Sequence, residues 1–337
     1  MHKLLTNPAV CSVVHLLATL GLSFAKAEVR EKLGACPTFP SLSLEDIGRT
    51  LDDLGIASVA VEANDAVLDR VPLPALAFVT TASVNGSAPA SLYVVLESAD
   101  TAGVRLTHPV LGAQKLDREQ FRGIWSGVLL LVDLDGSSAL FSADALRRER
   151  EENERFEARV SVLNAFLTAA ECEHLISYAE TRKVFSRSEI LFEPQGGAFD
   201  EVLKASRTSS SAVLDDRTDA CIAAIRERAA GVLHCAESEL EPLQCVRYLS
   251  GEEFRPHFDA DEELLRNETL LVYLNDDFVG GETVFPEIQL HIAPCRGTAV
   301  RFPNLSHEGR VLPQALHAGA PVLSGTKYVC NIWVARH

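Results

Sequence analysis

Apolar positions change their spacing several times along this chain, and each change marks an element. Residues 9–22 are almost continuously apolar and predict a buried helix. Leu42 to Leu54 carries its apolar residues at helical intervals behind Ser41 or Ser43, either of which can cap a helix N-terminus. Short β-type runs follow at 57–61, 75–79, 93–96 and 127–132, so residues 1–138 predict an α+β domain. The stretch Arg147 to Arg159 is densely charged with mixed sign, and residues 139–159 are read as a linker. From Val160 the pattern restarts. A strand-like 160–163 leads into a helix at 169–181, a polar, loop-rich stretch at 188–216, and a second helix near 218–233. Closely spaced strands then occupy 243–249, 254–258, 269–274, 283–285, 299–302 and 327–334. Many short strands separated by turns predict a double-stranded β-helix, or jelly roll, with flanking helices over 160–337.

Composition adjusts this picture at three points. A length of 337 residues favours two cores over one. The formal charge of −16 argues against a nucleic-acid partner, because phosphate binding needs a basic face. The eight cysteines are scattered without a CxxC pair, which fits a reduced, cytoplasmic chain better than a disulfide framework or a zinc site. Residues 1–27 loosely imitate a signal peptide. The first residues are barely basic, however, and His15 and Thr19 interrupt the apolar run. No run reaches the roughly 20 apolar residues that a membrane helix needs.

The candidate chemistry sits in the second half. His257 and Asp259 stand two apart in a strand-like run, so an imidazole and a carboxylate can converge on one ion. Alone the pair is a weak signal. His317 follows far downstream, with Lys327 entering the next strand-like run. Two imidazoles and a carboxylate make the facial triad that leaves three positions open on non-haem Fe(II). A lysine nearby supplies a point charge for the far end of a dicarboxylate.

At these residues the chain resembles the prolyl 4-hydroxylase family of 2-oxoglutarate oxygenases over roughly 160–337. The matching segments are Leu243 to Asp259, Thr269 to Pro286 and Leu316 to Val334, with Val162 to Ala179 and Arg207-Thr208-Ser209 agreeing ahead of them. The resemblance implies Fe(II) held by His257, Asp259 and His317. It implies 2-oxoglutarate paired with Lys327 and helped by Thr283 and Tyr248, O2 as the oxidant, and ascorbate as a further candidate. Trp333 would wall the pocket and Arg266 would face substrate, both as catalytic candidates. One departure is Phe254, where the family often has tyrosine three residues before the first metal histidine; it weakens the case for proline as the substrate.

Residues 8–132 resemble bacteriocin-processing cysteine peptidase domains, a papain-like fold that cuts double-glycine leaders. The resemblance runs through Cys11 ahead of His15–Gly21, Pro74 to Val79, Ser91 to Leu96, Val104 to Pro109 and Phe121 to Gly127. It implies a catalytic histidine where Leu92 stands and an orienting aspartate where His108 stands. Leucine cannot take a proton, so proteolysis is expected to be lost while a peptide groove survives. The combined expectation is a hydroxylase acting on a peptide or protein side chain during maturation of a ribosomally made peptide. In it the first domain captures the substrate through a leader segment. The alternatives are hydroxylation of a free amino acid or small metabolite beside a purely structural first domain, a binding protein with a dead oxygenase, and a Cys11 protease.

Overall fold

Asn7 decides where the helix after it begins. Its side chain accepts the Val10 N–H at 3.1 Å, and Pro8, which has no N–H to satisfy, takes the first turn of α1 (Pro8–Thr19). In the computed structural model, which describes residues 5–65, 68–80, 91–134, 143–182, 185–187, 208–261 and 264–335, two more helices follow. These are α2 (Lys26–Gly34) and α3 (Leu44–Asp53), the latter opened by a capping box between Ser43 and Asp46. Strands β1 (Ala57–Glu62), β2 (Ala75–Thr80), β3 (Ser91–Asp100), β4 (Gly103–His108), β5 (Gly112–Leu116) and β6 (Trp125–Asp133) form an antiparallel sheet ordered β1-β6-β2-β3-β4-β5. A short helix, α4 (Arg118–Ile124), precedes β6. Helix α1 packs on β3, where the Ser12 hydroxyl donates to the Tyr93 carbonyl at 2.7 Å. Val10, Val13, Leu16, Leu17, Tyr93 and Val95 share one core there.

The described residues form two compact units, one ending at Glu151 and the other beginning at Glu152. The charged run is helical, α5 (Ala143–Glu157), and Phe156 in its last turn is buried in the core of the second unit. Asn153 accepts from the Gln314 amide at 2.9 Å within that same unit.

The second unit contains β7 (Ser161–Leu163), α6 (Ala169–Thr181), β8 (Ser186–Arg187), β9 (Ser210–Leu214) and α7 (Ala220–Leu233). After them come β10 (Leu243–Tyr248), β11 (Phe254–His257), β12 (Arg266–Tyr273), β13 (Val279–Gly280), β14 (Thr283–Phe285) and β15 (Leu290–Ile292). The last strands are β16 (Ala299–Pro303), β17 (His317–Gly319), β18 (Val322–Ser324) and β19 (Lys327–Ala335). A seven-stranded sheet, β7-β16-β12-β19-β10-β9-β8, faces a four-stranded one, β11-β17-β14-β15. This is the jelly roll that the strand spacing predicts, with α6 and α7 flanking it.

Alternation along the long strands sorts the two cores. Leu270, Val272, Cys330, Ile332 and Val334 pack with α6 and α7. Leu271, Tyr273 and Val329 point the other way, into a core shared with Phe285 and Ile292 of the small sheet. Leu271 pairs with Asn331 and Thr269 with Trp333 across β12 and β19. The inward face therefore carries Thr269, Lys327, Asn331 and Trp333, polar groups that an ordinary core would exclude. The stretch read as loop-rich holds β9 where it is described; Arg207 lies outside the described residues.

Candidate active site

His257 and His317 meet because β11 and β17 pair antiparallel with those two residues directly opposite. Their rings lie 4.2 Å apart, although sixty positions (317 − 257) separate them in sequence. Asp259, just past the end of β11, completes the cluster. One ligand atom from each of the three lies within 4.8 Å of the other two. The carboxylate oxygens stand 3.8 Å from His257 Nε2 and 3.7 Å from His317 Nε2, beyond hydrogen-bond reach and wide enough for an ion between them.

The tautomers follow from the neighbours. His257 Nδ1 lies 2.8 Å from the Arg255 carbonyl, and His317 Nδ1 lies 3.0 Å from the Ala315 carbonyl. A carbonyl only accepts, so each Nδ1 carries a proton, which leaves Nε2 on the Asp259 side as the atom whose lone pair a metal would take. Burial pushes the Asp259 carboxyl up, but His317, His257, the Thr269 hydroxyl and Arg266 outweigh it and hold the group at about 2. An anion and two neutral imidazole nitrogens are the donor set that a divalent metal requires.

Beside this cluster Lys327 is only 2% exposed. Its ammonium donates to the Gly281 carbonyl at 2.6 Å and lies 5.0 Å over the Tyr248 ring and 5.7 Å over the Tyr273 ring. Among the described residues no carboxylate comes within ion-pair distance of it, and burial alone lowers it to about 7. Thr283 is buried nearby, its hydroxyl 2.6 Å from the Tyr273 hydroxyl.

Trp333 lies on the same inward face as Lys327. Its indole N–H is buried without a partner among the described residues, as is the side-chain oxygen of Asn331. Arg266, expected to face substrate, is 8% exposed with its donors engaged. Two of its nitrogens bond Glu241 at 2.7 Å each, a third donates to the Asp259 carbonyl at 3.2 Å, and its plane lies 3.7 Å over the Trp333 ring. Phe254 stacks on His257.

Sequence reasoning passes over Tyr273, Thr269, Asn304, Asn331 and Glu241. The signal for Thr269 and Asn331 is a polar residue at an inward position of an otherwise apolar strand. Glu241 has no such signal, since it lies outside every strand.

In the first unit Cys11 sits on α1, its thiol 3.3 Å from the Leu5 carbonyl, and Leu92 is buried among apolar residues of the sheet. His108 Nδ1 accepts the backbone N–H groups of Val110 at 3.1 Å and Leu111 at 3.0 Å. Its ring serves as a turn acceptor, the task an aspartate oxygen would perform.

Residues 243–335 match the 2OG-Fe(II) oxygenase superfamily, and residues 6–136 match the Peptidase C39 family. Prolyl 4-hydroxylase 5 of Arabidopsis thaliana is 32% identical over 208 residues, which covers 54% of this chain and 70% of that protein. The chain belongs to the prolyl 4-hydroxylase family of 2OG-Fe(II) oxygenases. Among solved structures, the viral collagen prolyl hydroxylase vCPH of Paramecium Bursaria Chlorella virus-1, in complex with 2OG, is 26% identical. That match covers 53% of this chain and 97% of the viral one, with a TM-score of 0.43. A double glycine motif protease from an AMS/PCAT transporter, solved with its leader peptide, is 15% identical, covering 38% of this chain and 84% of its own at a TM-score of 0.32. Membership of this oxygenase family makes the chain an Fe(II)- and 2-oxoglutarate-dependent dioxygenase that consumes O2. No helix among the described residues is long and apolar enough to cross a membrane.

Proposed function

We propose that this dioxygenase hydroxylates a side chain of a peptide that its first unit captures. The observation that carries the oxygenase half is Lys327: a buried ammonium with no carboxylate near it among the described residues, beside three convergent metal-type ligands. A cation in that setting is costly unless an anion arrives to pair with it. In this reading His257, Asp259 and His317 would hold Fe(II), and Lys327, whose ammonium lies over the Tyr248 ring, would receive the distal carboxylate of 2-oxoglutarate.

Thr283 assists through a proton count. If Tyr273 donates to Thr283 at 2.6 Å rather than to the Ile292 carbonyl at 3.2 Å, the Thr283 proton is left for the carboxylate. With Fe(II) held by these residues, the site would supply oxidative decarboxylation of 2-oxoglutarate to succinate and CO2, one atom of O2 going to succinate and the other into a substrate C–H bond. The residues supply orientation and exclude water. Trp333 walls the pocket.

The capture half rests on the first unit. It matches the Peptidase C39 family, while Leu92 offers no base and His108 spends Nδ1 on backbone N–H groups. A peptidase-like fold without its proton relay can still bind an extended peptide. The relatives' name points to proline as the first target residue to try, and Phe254 beside His257 argues for testing others with it. Maturation of a ribosomally made peptide is the context that joins the two units. Eight free cysteines fit a cytoplasmic setting, and ascorbate is the reductant to try first in turnover.

The test uses the whole chain with Fe(II), 2-oxoglutarate and candidate precursor peptides, each with and without a double-glycine leader. Succinate and a product 16 mass units heavier are followed. The reading expects kcat/KM to rise at least about tenfold with the leader, corresponding to about 1.4 kcal/mol of added binding. Equal turnover with and without the leader sinks the capture role, and robust hydroxylation of free amino acids replaces the peptide substrate altogether.

A further inference from the structure

Asp259 is held from two sides, at its carboxylate by Thr269, to which neither family resemblance assigns a role, and at its backbone by Arg266, which the resemblance placed toward substrate. Its side-chain oxygen Oδ2 accepts the Thr269 hydroxyl at 2.7 Å. The Asn304 amide nitrogen lies 2.8 Å from the Thr269 oxygen. From behind, Arg266 donates to the Asp259 carbonyl at 3.2 Å while Glu241 grips the same guanidinium at two points and the Trp333 ring supports its face.

The direction of this relay follows from what each group can do. An ionised carboxylate only accepts, so the single Thr269 proton must point at Asp259. The Thr269 oxygen is then left to accept, so Asn304 must present its NH2 side, and its carbonyl oxygen is correspondingly the atom left without a partner. Thr269, Asn304 and Glu241 are thereby committed to the back of Asp259, and none of the three is itself a candidate metal ligand.

We propose that Thr269, oriented by Asn304, and Arg266, anchored by Glu241, are positioning residues that preset Asp259 for the metal. Thr269 holds Oδ2, which stands 3.7 Å from His317 Nε2, and leaves Oδ1, 3.8 Å from His257 Nε2, clear of that hydroxyl as the oxygen to take the metal. A carboxylate committed through one oxygen takes one coordination position, which keeps the others open for cosubstrate and O2. Arg266 fixes the backbone beneath it, so the carboxylate neither swings nor retreats when the site is empty. This inference rests on reading His257, Asp259 and His317 as the metal ligands.

The test measures Mn(II) binding to the whole chain without 2-oxoglutarate, by electron paramagnetic resonance of the free ion, alongside thermal unfolding and near-ultraviolet circular dichroism. Thr269→Val is expected to weaken Mn(II) binding about 10–100-fold, the usual loss when an outer-shell partner of a metal ligand is removed. Thr269→Ser, which keeps the hydroxyl, restores it to within about threefold of wild type. A purely structural role would lower the unfolding temperature without moving Mn(II) affinity, and serine would bring back no affinity. Arg266→Lys retains the cation but cannot serve Glu241 and Asp259 together. It carries the test should Thr269→Val fail to fold, with a loss of about tenfold expected. Equal Mn(II) affinity in wild type and in a folded Thr269→Val or Arg266→Lys overturns the positioning role alone. Absence of Mn(II) binding by wild type overturns the metal-site reading and this inference with it.

Discussion

Replacing Lys327 with methionine should make the ligand-free protein more stable and cripple its use of cosubstrate, two effects of opposite sign from one side chain. Burial lowers the ammonium from 10.5 to about 7. At about 1.4 kcal/mol per unit, that is a burial penalty of roughly 5 kcal/mol. Methionine removes the penalty and forfeits the hydrogen bond to the Gly281 carbonyl, worth about 1–3 kcal/mol for a charged donor. The balance is a gain of roughly 2–4 kcal/mol for Lys327→Met without ligand. It should be read by hydrogen exchange of the β19 amides, which report on this unit and not on the whole chain. The 2-oxoglutarate affinity should fall by at least about 30-fold, because removing one partner of a buried charge pair costs about 2–5 kcal/mol. Calorimetric titration of the metal-loaded protein checks the second half. A variant that is less stable than wild type, or that binds 2-oxoglutarate equally well, refutes the account of Lys327 as a cation awaiting its anion.

The same group sets a pH dependence. Between about 7 and 10.5 the unfolded chain holds a proton on Lys327 that the ligand-free fold has released, so stability from this group rises with pH across that window and is flat below it. Pairing with a carboxylate raises the group again, so 2-oxoglutarate binding at pH 8 should take up protons, detectable by calorimetry in buffers of different ionisation enthalpy. Gly281→Ala should destabilise the second unit by about 1–2 kcal/mol and weaken 2-oxoglutarate binding. Its φ is +68°, and a Cβ there would meet Phe278 at 2.8 Å and the Lys327 side chain at 3.0 Å; hydrogen exchange and titration read the two effects. Cys11→Ser should leave hydroxylation of a leader-bearing peptide unchanged, and a loss of turnover there would mean that the thiol still serves the reaction. His317→Ala should abolish Mn(II) binding with little change in the first unit, since that histidine lies wholly within the second.

What the amino-acid order determined by itself is what depends on period and on chemical type. Short β-type apolar runs announced β2, β3, β6, β10, β12 and β19. Helical spacing with a capping serine announced α3, and the restart after the charged run announced a second unit. The ligand types and the lone lysine were legible because few side chains bind iron or fix a dicarboxylate. Tertiary structure decided what depends on which strands become neighbours. His257 and His317 are opposed only because the three-residue β17, too short to show a period, pairs with β11. The described end of the polar stretch 188–216 yields β9 because β10 offers it an edge, so sheet pairing prevails over weak local propensity. Arg266 shows the same division. Its place ahead of the Thr269 run was readable, but that it opens β12 and that its guanidinium turns to Glu241, 25 residues earlier, were set by the fold. A side chain's type is a property of the chain, whereas its partners are a property of the packed state, and a charge removed from water goes wherever a partner can satisfy it.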